Sequence, residues 1–285
     1  MGRSHRTESS FDELVAEALA APFEGWDFSW LNGRRIDFTL PWDYNARVRA
    51  RMRDIGAMLD MGTGGGEILA SLAPFPARVC ATESYTPNVV IARERLDPLG
   101  VDVRDTSGDL DNRRLPFDDA AFDLVINRHE SYVPGEVFRV LRSGGHFVTQ
   151  QHGGYGEVNL IEYFKGKTVP EDWTAGVASR QLEEAGFEIV ESQEVYPEYS
   201  FLDIGAVVYT FTAIPWLLGD FSVEKYRDRL LAMHEHIQKH GSFTVKDQRF
   251  LVEARKPNQD TMGNTTGSRR RVTCAPDRNV LCENS

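Results

Sequence analysis

The sequence predicts an α/β protein built on a Rossmann-like, doubly wound sheet, and three observations predict it. From Ala57 onward, short apolar segments rich in β-branched residues alternate with segments of helical spacing. The glycine cluster at 62–66 falls where one such strand ends and a helix opens. The composition, 41% hydrophobic and 26% charged over 285 residues, is that of a globular chain able to bury a core. Strands separated by helices at this spacing join through right-handed βαβ crossovers, which gives a parallel sheet with helices on both faces.

Phe11 to Ala20 has Phe11, Leu14, Val15, Ala18 and Leu19 on one helical face, with Ser9 and Ser10 as candidate caps. Pro22 to Tyr44 holds three of the five tryptophans and no clear period. Such a segment is a cover over a pocket or a flap of core, since large aromatics serve packing in either case. A helix is expected over Asn45 to Ile55. Strands are then expected at Ala57 to Met61, Arg78 to Thr82, Val101 to Thr106 and Phe122 to Asn127, and again at His146 to Gln151 after a Ser143-Gly144-Gly145 turn. Helices are expected to open at Glu67, Pro87 and Gly135 between them. Ala175 to Ala185 reads as a helix stopped by Gly186, Phe187 to Val195 as a sixth strand, and Arg249 to Arg255 as the last. Residues 196–248 are an insertion with a helix at Val223 to His240 and another at Asp203 to Ile214, where VVYTFT also has strand character. The expected division is 1–50 as cover, 51–195 as cofactor-binding core, 196–248 as helical insertion, 249–257 as final strand, and 258–285 as a polar, aperiodic, disordered tail.

The formal net charge of -11 opposes a polyanionic substrate. Cys80, Cys274 and Cys282 form no paired framework and no metal-ligand spacing, so no metal site and a cytoplasmic location are expected. His234, His236 and His240 lie on the late helix without a third suitably spaced ligand and read as a solvated face. No stretch approaches the roughly 18 apolar residues of a membrane span, which predicts no membrane partner.

The run Leu59-Asp60-Met61-Gly62-Thr63-Gly64-Gly65-Gly66-Glu67 carries the chemistry. Small residues let a ligand approach the backbone, and amides at a helix start hold an anion. A dinucleotide motif would need glycine three positions after Gly64, where Glu67 stands and would repel a pyrophosphate. A phosphate-binding P-loop would need a following Gly-Lys-Ser or Gly-Lys-Thr, which is lacking.

The pattern Asp60-x-Gly62-x-Gly64-x-Gly66 instead resembles motif I of the class I S-adenosylmethionine-dependent methyltransferases. The cofactor of that family has no phosphate and carries an ammonium, which makes an acid in the loop tolerable. The resemblance continues through VCATES, SGDLDN, LPFDDAAFDLVINRHESY and VFRVLRSGGHFVTQQ, from about Met58 to Gln151. It implies a seven-stranded sheet of order 3-2-1-4-5-7-6 with the last strand antiparallel. It also implies that Asp60, Gly62 and Gly64 meet the methionyl part, Glu83 and Ser84 the ribose, and Asp109 and Leu110 the adenine, with Asn127 and His129 facing the methyl group. PFEGWDFSWLNGR, QQHGG, AIPW and RFLVEARKP, in that order, are similar to a bacterial methyltransferase type 11-like group.

A sulfonium is already an activated methyl donor, so alignment and water exclusion matter most and a base is optional. His129 and His152, each just past a strand, are the candidate bases, with a backbone-bonding role open for both. The leading expectation is O- or N-methylation of a small organic molecule, the small-molecule substrate being the expected partner. An RNA-base methyltransferase and a non-catalytic cofactor-binding protein are the alternatives.

Overall fold

The computed structural model of the protein describes residues 10–109, 113–165 and 171–258. The chain begins with α1 (Phe11–Ala20), where Ser10 and Glu13 form a reciprocal capping box. Four of the five residues on its expected face are buried; Leu19 is exposed. A short turn at Ser29–Leu31, the two-residue strand β1 (Arg35–Ile36) and α2 (Tyr44–Arg51), capped by Asp43, complete the N-terminal segment.

The predicted alternation then follows: β2 (Ala57–Met61), α3 (Glu67–Ser71), β3 (Arg78–Glu83), α4 (Thr86–Leu96), β4 (Val101–Asp105), β5 (Phe122–Arg128), α5 (Pro134–Val140) and β6 (Leu141–His152). After α6 (Val158–Lys165) and α7 (Ala175–Glu184) come β7 (Glu188–Val195), β8 (Glu198–Phe201), α8 (Ile204–Ala213), α9 (Val223–His240), β9 (Phe243–Lys246) and β10 (Arg249–Arg255).

Seven strands form one sheet in the order β4-β3-β2-β5-β6-β10-β7, which is the expected 3-2-1-4-5-7-6. The strands from β2 to β6 pair in parallel, and β10 runs antiparallel to β6 and β7. Helices cover both faces, which is why β2 is buried at every position and reads as a near-continuous apolar run. One face packs Leu59, Val125 and Phe147 under α5 and α7; the other packs Met58, Ile126 and Val148 under α2, α3 and α4. The strand order reverses between β2 and β5, and that switch point opens the crevice in which open α/β sheets bind ligands.

Three features differ from the sequence reading. Residues 143–145 are not a turn ahead of a strand. They lie inside β6, where Arg142 to Gly145 bulge opposite Asp123 and Gly144 pairs with Lys256. Helix α6 has no counterpart in the sequence reading. The strands β1, β8 and β9 form a second, antiparallel sheet in that order, too short to show an alternating pattern. With α1, α6, α8 and α9 this sheet encloses its own core, including Phe201, Val207, Phe211, Leu230 and Met233. Segment VVYTFT is helical, within α8 and capped by Asp203; burial on all sides gave it no polar face to mark the period. Leu110 and the predicted tail beyond Asn258 lie outside the described residues. Among the described residues no helix is long and apolar enough to cross a membrane.

Candidate active site

At the carboxyl end of β2 the chain turns through Gly62 and Gly64, both left-handed with φ of +68° and +62°. Packing also excludes a side chain there: a Cβ on Gly62 would lie 2.3 Å from Cγ of Glu130, and one on Gly64 would lie 2.4 Å from Cδ1 of Trp26. The glycines are therefore required by protein neighbours as well as by backbone conformation, and Trp26 of the aromatic segment packs directly on the turn. Glu67 does not offer its charge to a ligand. Its carboxylate pairs with Arg95 at 2.5 Å and lies against Gly25 and Gly65.

The acids of the motif stand on neighbouring strand ends. Asp60 is buried and forms no ion pair among the described residues. Burial pushes its carboxyl up to about 7, opposed by the Thr63 hydroxyl and aided by Glu83. Glu83 is 5% exposed at the end of β3. Its Oε2 accepts from the Gly64 N–H at 2.7 Å and its Oε1 from the Tyr85 N–H at 2.8 Å, so it clamps the glycine turn. Burial raises the Glu83 pKa against these amides and that of the half-buried Ser84. Asp109, beyond β4, is half-buried and accepts from the Arg114 N–H at 2.7 Å. The amides of Arg114 and Arg113 hold it below the usual carboxylate range.

A second group gathers across the switch point on β5, β6 and β10. Asn127 is completely buried; its Oδ1 accepts from Thr149 and Gln151, and its Nδ2 has no partner. His129 has a left-handed backbone, φ +61°, and its N–H donates to Gln150 O at 2.9 Å. Its ring lies 4.4 Å from that of His152, centroid to centroid. Surrounding protein, then the charges of Arg128 and Arg249, push the His129 imidazole well below its usual value. The ring is nevertheless accessible to solvent, as expected on a cleft wall. Trp42 Nε1, which can only donate, bonds Gln150 Oε1 at 2.9 Å, so Gln150 turns its Nε2 toward His129 Nε2 at 3.4 Å. His152 Nδ1 stands 3.8 Å from the buried Asp247.

Of the residues the sequence reading singled out, Asp60, Glu83, His129, His152, Trp42 and Gln150 stand at these strand ends; Asp247 and Arg249 were not among them. Their sequence signal is slight: Asp247 lies just ahead of the last predicted strand and Arg249 opens it. The aromatic segment divides its labour. Trp26 and Trp42 face the site, whereas Trp30 stacks on Tyr209 at 4.7 Å within the second core. Trp216 is 68% exposed and meets Trp26 edge-on.

The sheet order and its one antiparallel strand are those of a Rossmann-like methyltransferase fold. Residues 58–145 match the family described as a methyltransferase domain. A sterol 4-C-methyltransferase from Caenorhabditis elegans is 25% identical over a match covering 56% of this chain and 53% of that protein, so the chain spans about half the length of this curated relative. The fold is similar to that of a candidate methyltransferase from Bacillus halodurans C-125, with TM-score 0.55 and 20% identity over 75% of this chain and 97% of that one. It is also similar to the YcgJ protein of Bacillus subtilis, with TM-score 0.51 and 15% identity over 75% and 98% of the two chains.

Proposed function

We propose that the protein transfers the methyl group of S-adenosylmethionine to an oxygen or nitrogen of a small organic acceptor, with His129 as the base. The residues present fit the cofactor. Asp60 is a buried carboxylate with no ion pair among the described residues, Arg128 acting on it only from beyond that distance, which suits an ammonium. Glu83 keeps lone pairs for ribose hydroxyls beside the two amides it holds, and Asp109 on the rim suits an adenine amine. The cofactor supplies an electrophilic methyl group; the protein has to hold the acceptor in line behind it and exclude water.

The observation that carries the reading is the pair of imidazoles across the switch point from these acids. A lowered His129 pKa keeps the ring neutral near pH 7, ready to take a proton from a hydroxyl or amine. His152 flanks it, ring centroids 4.4 Å apart, with its Nδ1 3.8 Å from Asp247. The sterol relative is named for methylation at carbon, which favours a second reading; there His129 would remove the proton from the methylated carbon.

Calorimetry with S-adenosylhomocysteine, followed by transfer of a labelled methyl group to hydroxyl, amine and sterol acceptors and to RNA, tests both. The expected product is O- or N-methylated, and His129→Ala should lower kcat by roughly 100-fold or more while S-adenosylhomocysteine affinity stays within about threefold. Methylation confined to carbon or RNA, or full activity without His129, would overturn the proposal.

A further inference from the structure

The ends of β5, β6 and β10 bring several cationic or proton-binding groups together in a protein whose formal net charge is -11. Arg249 is compensated, its two terminal nitrogens lying 3.1 and 2.7 Å from the two oxygens of Asp247. Arg35, which reaches toward Arg249 from β1, is compensated by Asp37 at 2.7 Å. Arg128 has no carboxylate within ion-pair distance among the described residues. An unpaired guanidinium is ordinary on a convex surface. Arg128 is exposed at the end of β5, where its charge helps to lower His129 and Arg249, while Tyr44 and Asp60 favour its own charged form.

Register fixes which ligand this charge faces. The ladder between β2 and β5 ends at Met61 and Asn127. Arg128 extends beyond it and pairs with Gln150 of β6, while Arg249 pairs with His152. The cation is thus built into the histidine side of the switch point.

Resting on the proposed transfer reaction, we infer that the acceptor carries a carboxylate, and that Arg128 seats it within reach of His129. An arginine fork receives a carboxylate through two parallel hydrogen bonds and so fixes orientation as well as charge. The nucleophilic oxygen or nitrogen then belongs on the end of the acceptor facing the imidazoles. Asp60 and Tyr44 also lie close enough to act on Arg128, so the methionyl carboxylate of the cofactor is the competing source of the same chemistry.

The test uses the full chain, with formate as the smallest carboxylate and saturating S-adenosylhomocysteine to fill the cofactor's own seat. Formate at tens of millimolar should raise the wild-type Tm by about 2 to 4 °C over equimolar chloride, and Arg128→Gln should abolish that difference. Arg128→Lys, which keeps the charge and loses the fork, should retain part of it. Without ligand, Arg128→Gln should melt close to wild type, because it gives up no ion pair among the described residues. Equal responses to formate and chloride, or the same formate response in Arg128→Gln, would overturn the inference. It would also fall if Arg128→Gln weakened S-adenosylhomocysteine tenfold or more and left 5′-methylthioadenosine, which lacks the methionyl group, unaffected; the carboxylate would then be the cofactor's. Failure of the wild type to bind S-adenosylhomocysteine at all would instead remove the methyl-transfer reading, a separate result.

Discussion

Glu83→Gln is the most informative single change, because the side chain holds the glycine turn and is also the candidate ribose acceptor. Glutamine can still accept one of the two backbone amides now bound at 2.7 and 2.8 Å, and leaves the other unsatisfied in a site where the residue is only 5% exposed. One buried donor without a partner costs about 1 to 3 kcal/mol. In a domain of this size that is a fall in Tm of roughly 2 to 10 °C. Loss of a charged acceptor to the ribose should add about 1.5 to 3 kcal/mol on binding, or some 10- to 150-fold in Kd. Calorimetry with S-adenosylhomocysteine and with its 2′-deoxy analogue separates the two roles. Wild type should discriminate between them, and Glu83→Gln should not, since the partner of the hydroxyl is gone. If Tm falls while discrimination persists unchanged, Glu83 is a clamp for the turn and the ribose is held elsewhere.

Asp60, pushed up to about 7 by burial, must ionise to receive an ammonium, so cofactor affinity should fall about tenfold per pH unit below 7 and Asp60→Asn should flatten the profile; calorimetry across pH 5.5 to 8 reads both. The same raised pKa makes Asp60 a source of stability below its unfolded value, lost as pH rises through 7, which thermal melts of the ligand-free protein compared with Asp60→Asn would show. Glu253 has the opposite sign: burial works upward, but His146, Arg47 and Arg51 outweigh it and hold the carboxyl at about 2. Its stabilisation is complete above about pH 4.5 and disappears as pH falls toward 2; Glu253→Gln should cost about 3 kcal/mol at pH 7 with cofactor affinity unchanged. Gly64→Ala should lose cofactor binding, and adding Trp26→Ala should restore it only in part, because the contact with Trp26 is relieved while the left-handed φ of +62° remains. Trp30→Ala should lower stability by about 2 kcal/mol through the lost stack on Tyr209, whereas Trp216→Ala should leave Tm nearly unchanged.

The class of fold, the strand sequence and the acids Asp60 and Glu83 were legible because each rests on local pattern. Five strands buried on both faces give continuous apolar runs, a glycine turn announces itself by composition, and the helix periods hold over two or three turns. The order of strands came only through resemblance, since nothing in a strand's own residues specifies its neighbour.

Other features depended on contacts distant in sequence. The second sheet is made of strands of two to four residues, below the length at which alternation can be read, and β1 pairs with β8 across more than 160 positions of sequence, as Arg35 with Phe201. Trp26, Trp30 and Trp42 look alike in the chain, yet one packs on the cofactor turn, one stacks in a second core and one orients Gln150. The sequence by itself determined what each segment could become and which residues could bear charge. Tertiary structure alone decided which charges meet: it paired Glu67 with Arg95 and Arg249 with Asp247, and left Arg128 without a carboxylate partner among the described residues. The reason is physical. Backbone preference and apolar period act over a few residues, whereas ion pairing and desolvation depend on distance in space, which only the assembled sheet and its cover fix.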